Sequence, residues 1–494
     1  MQLTFPTYEF VFFFLPVVLA GYYLTCGFLR RQASRPVVVG RMAGLKPDRL
    51  FLTGASLLFY LSFGLYNFLI LCLQAIIGWL FYLLLQRTKR PGPRSYLMAA
   101  AVAGVLTPLA FFKYGPVSMP VALSFTTFSL LSFLTDAYRG EEDDAAFGDY
   151  LLFYFFFPKL LQGPITRYAD FMKTVRTPGG LPDGNTFAQA VFCFVLGLSK
   201  KVLLADRLAR PVDFAYRVPG DLLWMEAVLA VVAYAFQIYF DFSGYCDMGR
   251  AVARMLGYDL PRNFRQPYRS QNILEFWRRW HSTLSQFFTR YVYIPLGGNR
   301  KGRVRMLAIT LLIFLLSGIW HGSGWGFLLW GAAHGLLACT TKLLPRPLRL
   351  PRALKTLFTF LFVTAAWIPF RAVDPDVTLA MLRVIADKPW LKLHNAFIDT
   401  WTDNLLWYPL KVLGVPDIRT GGTICLWIVL AVSALLIFAA PDAQELSERF
   451  GNRLAARSPA SCFRVGLAAL CCAGLFLWCV LSFGEVSSFV YFQF

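Results

Sequence analysis

The sequence predicts an all-α integral membrane protein that crosses the bilayer about twelve times. Three observations carry that expectation. Hydrophobic residues fill 57% of the 494 positions and charged residues only 15%, against about a quarter charged in a soluble chain. A mean hydropathy of +0.53 implies more apolar surface than cores of ordinary domain size can hide. Apolar runs of about 20 residues, the length a helix needs to cross hydrocarbon, recur along the whole chain.

The elements follow from the positions of Lys and Arg, which mark cytoplasmic loops. Residues 8–29 have no basic leader before them and no small-residue cleavage site after, so they read as a retained first span. The stretch with Arg30, Arg31, Arg35, Arg41, Lys46 and Arg49 then lies inside and the N-terminus outside. Residues 50–86 hold two short spans that return to Arg87, Lys89, Arg90 and Arg94; 96–112 leads out and 117–138 leads back. Residues 151–165, LLFYFFFPKLLQGPI, are too short and too broken by Pro158 and Pro164 to span. They read as a re-entrant or interfacial segment and a cavity wall, because non-helical backbone at membrane depth needs protein or water around it. Spans at 187–204 and 222–239 follow, joined by an outer loop.

Residues 250–305 carry twelve Lys or Arg against Asp259 and Glu275, the strongest inside signal in the chain. Their aromatic content predicts half-buried amphipathic helices there. Spans at 306–320, 324–343, 354–370, 423–440 and 463–483 complete the count and leave the C-terminus outside. The acid-bearing segment of about 372–422 is expected on the outer face. The organisation expected is one polytopic domain over residues 1–494, with its chemistry in a block of about 150–340 and an aromatic tail at 487–494.

Composition also excludes. The net charge of +20 is spread over short segments between apolar runs, where it sets topology and meets lipid headgroups; no nucleic acid partner is expected. The ten cysteines contain no CxxC pair and mostly lie in apolar runs, so neither a disulfide framework nor a metal site is expected. There is no HExxH motif, phosphate-binding glycine loop or GxSxG elbow, and the Asp374–Asp376 DPD pair is a weak glycosyltransferase signal.

Ionisable groups at membrane depth are costly, so each is a functional hypothesis. His321 ends an apolar run in LLSGIWHGSGWGFLLWGAAHG, where flanking glycines allow close approach of a backbone or ligand. It reads either as a base or as an interfacial His among belt tryptophans. His281, in EFWRRWHSTLSQFF, reads as a helical residue that is catalytic or faces headgroups. His334 reads as a helix-packing residue and His394 as a solvated one. Asp241 and Asp247, in YFDFSGYCDMGRAVARML, are within range of ion pairing with Arg250 or Arg254.

The runs QIYFDFSGYCDMGRAVARMLGYDLPRNFRQPYRS, EFWRRWHSTLSQFFTRYVYIPLGGNR and LSGIWHGSGWGFLLWGAAHG together resemble the bacterial membrane-bound O-acyltransferase family, in its alginate O-acetyltransferase branch. FFFPKLLQGPITRY upstream and FVYFQF at the end match as well. The resemblance implies a ring of tilted helices around a tunnel, with His321 as the catalytic histidine and His281 as a second catalytic polar position. It implies Trp320, Asp241 and Gln162 as tunnel-lining candidates, and Arg278 and Arg279 as receivers of an anionic donor on the cytoplasmic side. No permanently bound cofactor is implied; the acyl donor would be acetyl-CoA or an acyl carrier protein thioester. The implied partners are membrane lipid, an extracytoplasmic SGNH-type acetyltransferase and a polysaccharide acceptor such as alginate, and the location is the bacterial inner membrane. Tyr491 in the tail reads as an interfacial anchor or as an acyl carrier, since phenol leaves near pKa 10. Two rivals stay open: D-alanyl transfer within the same family, and a polysaccharide transporter without chemistry.

Overall fold

The computed structural model describes residues 2–33, 47–142, 144–176, 181–344, 349–387, 389–402, 404–456 and 458–486, and every regular element among them is helical. Nine helices among the described residues are long and apolar enough to cross a membrane. The expected twelve also included residues that fold as Pro47–Leu61 and Leu123–Tyr138, of 15 and 16 residues. At 1.5 Å per residue these reach about 22–24 Å, short of a roughly 30 Å hydrocarbon core. The third is Trp325–Leu343, whose 19 residues include His334, Thr340, Thr341 and Lys342.

Stretches expected as loops are helix. Within the stretch expected as a loop, 205–221, residues 206–217 continue one rod, Gly184–Arg217, through a π-helical turn at Lys200–Ala205, and Pro219–Asp221 forms a separate short 3-10 turn. The span expected to end at 239 runs on to Met255 as a 32-residue helix from Trp224. The acid-bearing segment contains the helices Pro375–Ala386, Asn395–Asp399 and Asn404–Val412. Asp374 caps the first of these by accepting the Asp376 N–H at 2.7 Å, which gives the DPD pair a structural role.

The chain packs as two compact units. One gathers Met1–Leu198, Tyr245–Arg262 and Ala443–Phe483; the other is built from Ser199–Gly244 and Asn263–Asp442. In the first, the segment holding Pro158 and Pro164 is broken as expected, into Phe147–Phe155 and Phe157–Leu160 with Phe156 non-helical between them. Lys159 is buried there, 2.8 Å from Thr166 Oγ1 and 3.8 Å over the Phe153 ring. Arg49 and Asp149 form a buried pair at 2.6 Å. Asp247 accepts from Gln444 at 2.8 Å, while Arg250 and Arg254 both reach Asp259.

Candidate functional site

His321 is the last residue of the helix Arg303–His321. Glycines let its neighbours close around it. A Cβ on Gly318 would lie 2.4 Å from the Phe327 carbonyl oxygen, and one on Gly331 2.5 Å from that of Phe314, so this helix and Trp325–Leu343 meet backbone to backbone. The imidazole is therefore enclosed: Trp320 at 4.7 Å, Trp330 edge-on at 5.1 Å and Phe370 at 5.1 Å surround it, and only 5% of the residue is exposed. An interfacial His facing headgroups does not fit that enclosure.

His281 is buried as well, at 1% exposure, which overturns the headgroup-facing alternative. It is not on a helix either. With φ 42° and ψ 50° it takes the left-handed conformation between the helices Ile273–Arg279 and Ser282–Phe288. The break has a visible cause. Asn263 Oδ1 collects His281 Nδ1 at 3.1 Å, the Thr283 N–H at 3.3 Å and the Thr283 hydroxyl at 3.0 Å. Because a backbone N–H donates to that atom it is the amide oxygen, so Nδ1 must carry a proton and Nε2 is left with its lone pair. Burial pushes the His281 pKa down to about 3, keeping the ring neutral. The Phe242 ring meets it at 4.8 Å and 89°.

Trp320 joins the two histidines, its ring 6.5 Å from His281 and 4.7 Å from His321. A cavity of about 390 Å³ adjoins the same elements. Thr310, Phe314 and Ser317 line it from the His321 helix, Leu284 and Ser285 from the helix that His281 caps, and Trp277 and Arg278 from the helix before. Thr310, Ser317 and His321 are spaced by seven and four residues, which puts them on one helical face. The cavity-lining stripe thus continues, one turn past Ser317, to the catalytic candidate.

The paired arginines have different environments. Arg278 lines the cavity and is exposed, whereas Arg279 is held by Glu275 at 2.6 Å. Asp241 is buried, and its partner is Lys201 at 2.8 Å; Arg250 is nine residues further along the helix, out of reach. Lys201 also holds Asp206 at 2.8 Å, so one buried ammonium bridges two carboxylates. Gln162 is fully buried, and neither polar atom of its side chain has a hydrogen-bond partner among the described residues. Tyr491 lies outside the described residues. His334 is buried in packing, as expected, and its Nδ1 accepts the Trp277 indole N–H at 3.2 Å, so it braces the cavity wall. His394 stays half exposed while its Nδ1 meets Glu226 at 3.1 Å. Among the described residues no cluster of three or more His, Cys, Asp or Glu could hold a metal ion.

Asn263 and Lys201 went unread in the sequence. Lys201 had a signal, a charge inside an apolar run. Asn263 had none, since its role depends on a contact eighteen residues away.

The model of the membrane-bound O-acyltransferase family matches residues 53–370. The chain belongs to that family. It is 33% identical to the peptidoglycan O-acetyltransferase of Helicobacter pylori, over 83% of this chain and 85% of that one. It is 33% identical to the "Probable alginate O-acetylase AlgI" of Pseudomonas putida, over 77% and 79%. A teichoic acid D-alanyltransferase of Streptococcus thermophilus is 26% identical over 56% of this chain and 65% of its own. This is therefore a multi-pass membrane O-acyltransferase, and a transporter without chemistry is set aside. Within such an enzyme, the enclosed trio His281, Trp320 and His321 and the adjoining cavity form the candidate active site.

Proposed function

We propose that this O-acyltransferase takes an acetyl group from a cytoplasmic thioester and passes it across the inner membrane for O-acetylation of a cell-envelope polysaccharide. The observation that carries the reading is the single helical face leading from a cavity with hydroxyl and cationic groups to an enclosed histidine. Acetyl is favoured over D-alanyl because the acetyl-transferring relatives match at higher identity over more of the chain. The Lys/Arg bias of residues 250–305 supports a cytoplasmic entrance for an anionic donor.

In this reading His321 removes the proton from an acceptor hydroxyl as its oxygen attacks the thioester carbonyl. The C–O bond forms, the C–S bond breaks, and the imidazolium returns its proton to the departing thiolate, so an ester and a free thiol result. His281 offers its Nε2 lone pair in the same aromatic enclosure to orient the hydroxyl. Tyr491 is the proposed acceptor that hands acetyl to an extracytoplasmic SGNH-type partner and from there to the glycan. Tyr491→Phe removes only the hydroxyl and should abolish polymer acetylation; wild-type acetylation would return the tail to an anchoring role.

The test of the reading itself is His321→Ala in the native host. Loss of a general base is expected to lower transfer about 10²–10⁴-fold while the protein still inserts and accumulates. Undiminished polymer acetylation at verified expression would overturn the assignment.

A further inference from the structure

Trp330 comes to lie beside His321 because of how two helices pack. Gly318 faces the Phe327 carbonyl and Gly331 that of Phe314, so Arg303–His321 and Trp325–Leu343 run antiparallel. The N-terminal end of the second helix is therefore at the His321 end of the first. Long side chains lean toward the N-terminus of their own helix, which tips the Trp330 indole toward His321. The two rings stand perpendicular with centroids 5.1 Å apart, and Trp330 is fully buried. A buried indole N–H ordinarily finds an acceptor, yet Trp330 Nε1 has no hydrogen-bond partner among the described residues. His334, one turn along and 5.1 Å away, does not serve: its Nδ1 takes the Trp277 N–H, which leaves a proton on Nε2. Phe370 at 5.2 Å and Trp367 at 5.8 Å pack against the same indole and have no acceptor to offer.

In the proposed reaction His321 handles the proton, but negative charge develops on the acyl oxygen, which a base does not stabilise. That oxygen is confined to the surroundings of the imidazole. A base stands about 2.6–3.2 Å from the hydroxyl it deprotonates, and the acyl carbon is one new bond further on. We infer that the Trp330 indole N–H is the oxyanion donor of this site. As the acceptor oxygen bonds to the acyl carbon, the carbonyl π pair moves onto the acyl oxygen, and the indole donates to it. When the C–S bond breaks the pair returns, the C=O re-forms and the thiolate takes the proton held by the His321 imidazolium. The indole keeps its own proton throughout. Its aromatic surroundings exclude water, where a fixed donor stabilises charge most. Trp330 is thereby a further catalytic residue. This inference rests on the proposed thioester reaction and adds a group to it.

The test follows thiol release by the full-length protein in proteoliposomes, from acetyl-CoA and from an acetylated carrier protein. Each donor is paired with its dithioacetyl analogue, in which sulfur replaces the acyl oxygen. Sulfur accepts hydrogen bonds weakly, so a donor aimed at that atom favours the oxygen compound. Trp330→Phe should lower kcat about 10²–10³-fold with the oxygen donor while KM stays nearly unchanged. It should lose far less with the sulfur donor, so the oxygen-to-sulfur rate ratio falls from the wild-type value by tenfold or more, on the order of the lost contact. Benzothienylalanine at position 330 keeps the bicyclic shape and puts sulfur where the N–H was. It should reproduce that loss at a wild-type melting temperature, which separates chemistry from a folding defect. An equal slowing of both donors by Trp330→Phe would overturn the inference and make Trp330 a packing residue, as would wild-type rates with benzothienylalanine; either result leaves the thioester reaction standing. Failure of the wild type to release thiol from any of these donors would instead count against the proposed reaction.

Discussion

Two lysines in the same compact unit show what a buried charge can be for. Lys201, 1% exposed, lies between Asp206 and Asp241 at 2.8 Å from each, and its charge is matched within the fold. Lys342 has a hydroxyl and an aromatic face for company and lines a cavity. The first arrangement ties the π-helical turn at Lys200–Ala205 to the long helix Trp224–Met255, and the second leaves a positive charge to be completed from outside. The pairing of a cation, more than its depth, separates a structural charge from a binding one.

The largest effect that would sharpen this contrast is on stability. Lys201→Met leaves two carboxylates buried without their ammonium and should destabilise the protein by about 3–5 kcal/mol. It should accumulate poorly and melt early in detergent, while Lys342→Met melts within a few degrees of wild type. Equal loss of stability in both variants would erase the distinction.

Next in size is a pH effect at His281. Its pKa falls from about 6.5 in the unfolded chain to about 3 in the fold, so the neutral ring contributes stability that is fully present above pH 6.5. That contribution is lost as the pH drops from 6.5 toward 3. Relative to His281→Gln, which does not titrate, the wild type should lose about 2 kcal/mol more between pH 7 and pH 5. Parallel melting curves for the two proteins across that range would contradict the buried, neutral ring.

The smallest effect separates the adjacent arginines. Arg278→Glu places a carboxylate on the cavity and should raise the donor KM about tenfold at low salt, less as ionic strength rises. Arg279→Glu breaks a partly exposed pair with Glu275 and should change KM by less than about threefold. Equal KM changes in both variants would mean that the arginines act on topology alone.

Much of this was legible in the sequence where the cause is local. His321 announced itself by its glycines, which the structure uses to press Gly318 and Gly331 against facing carbonyls. The broken segment at 151–165 was readable from Pro158 and Pro164. The environment of His281 was not, because EFWRRWHSTLSQFF has a helical composition and the left-handed turn is held by Asn263, eighteen residues earlier. Lys342 was equally silent, since a lysine near a helix end reads as one that snorkels to the interface. Asp241 was read against arginines on its own helix, whereas its partner Lys201 comes from another element that only the fold brings near. Of the twelve expected crossings, nine correspond to helices among the described residues that are long and apolar enough to span; Pro47–Leu61 is shorter than that length, and hydropathy alone does not mark where a helix ends.

The central claim is that His321 carries the proton transfer that releases thiol from the donor. Its most direct test is thiol release from an acetyl thioester by wild-type and His321→Gln proteins in proteoliposomes, with donor binding measured alongside. The glutamine variant should bind donor with near wild-type affinity and release thiol about 10²–10⁴-fold more slowly. Release at the wild-type rate, with binding intact, would contradict it.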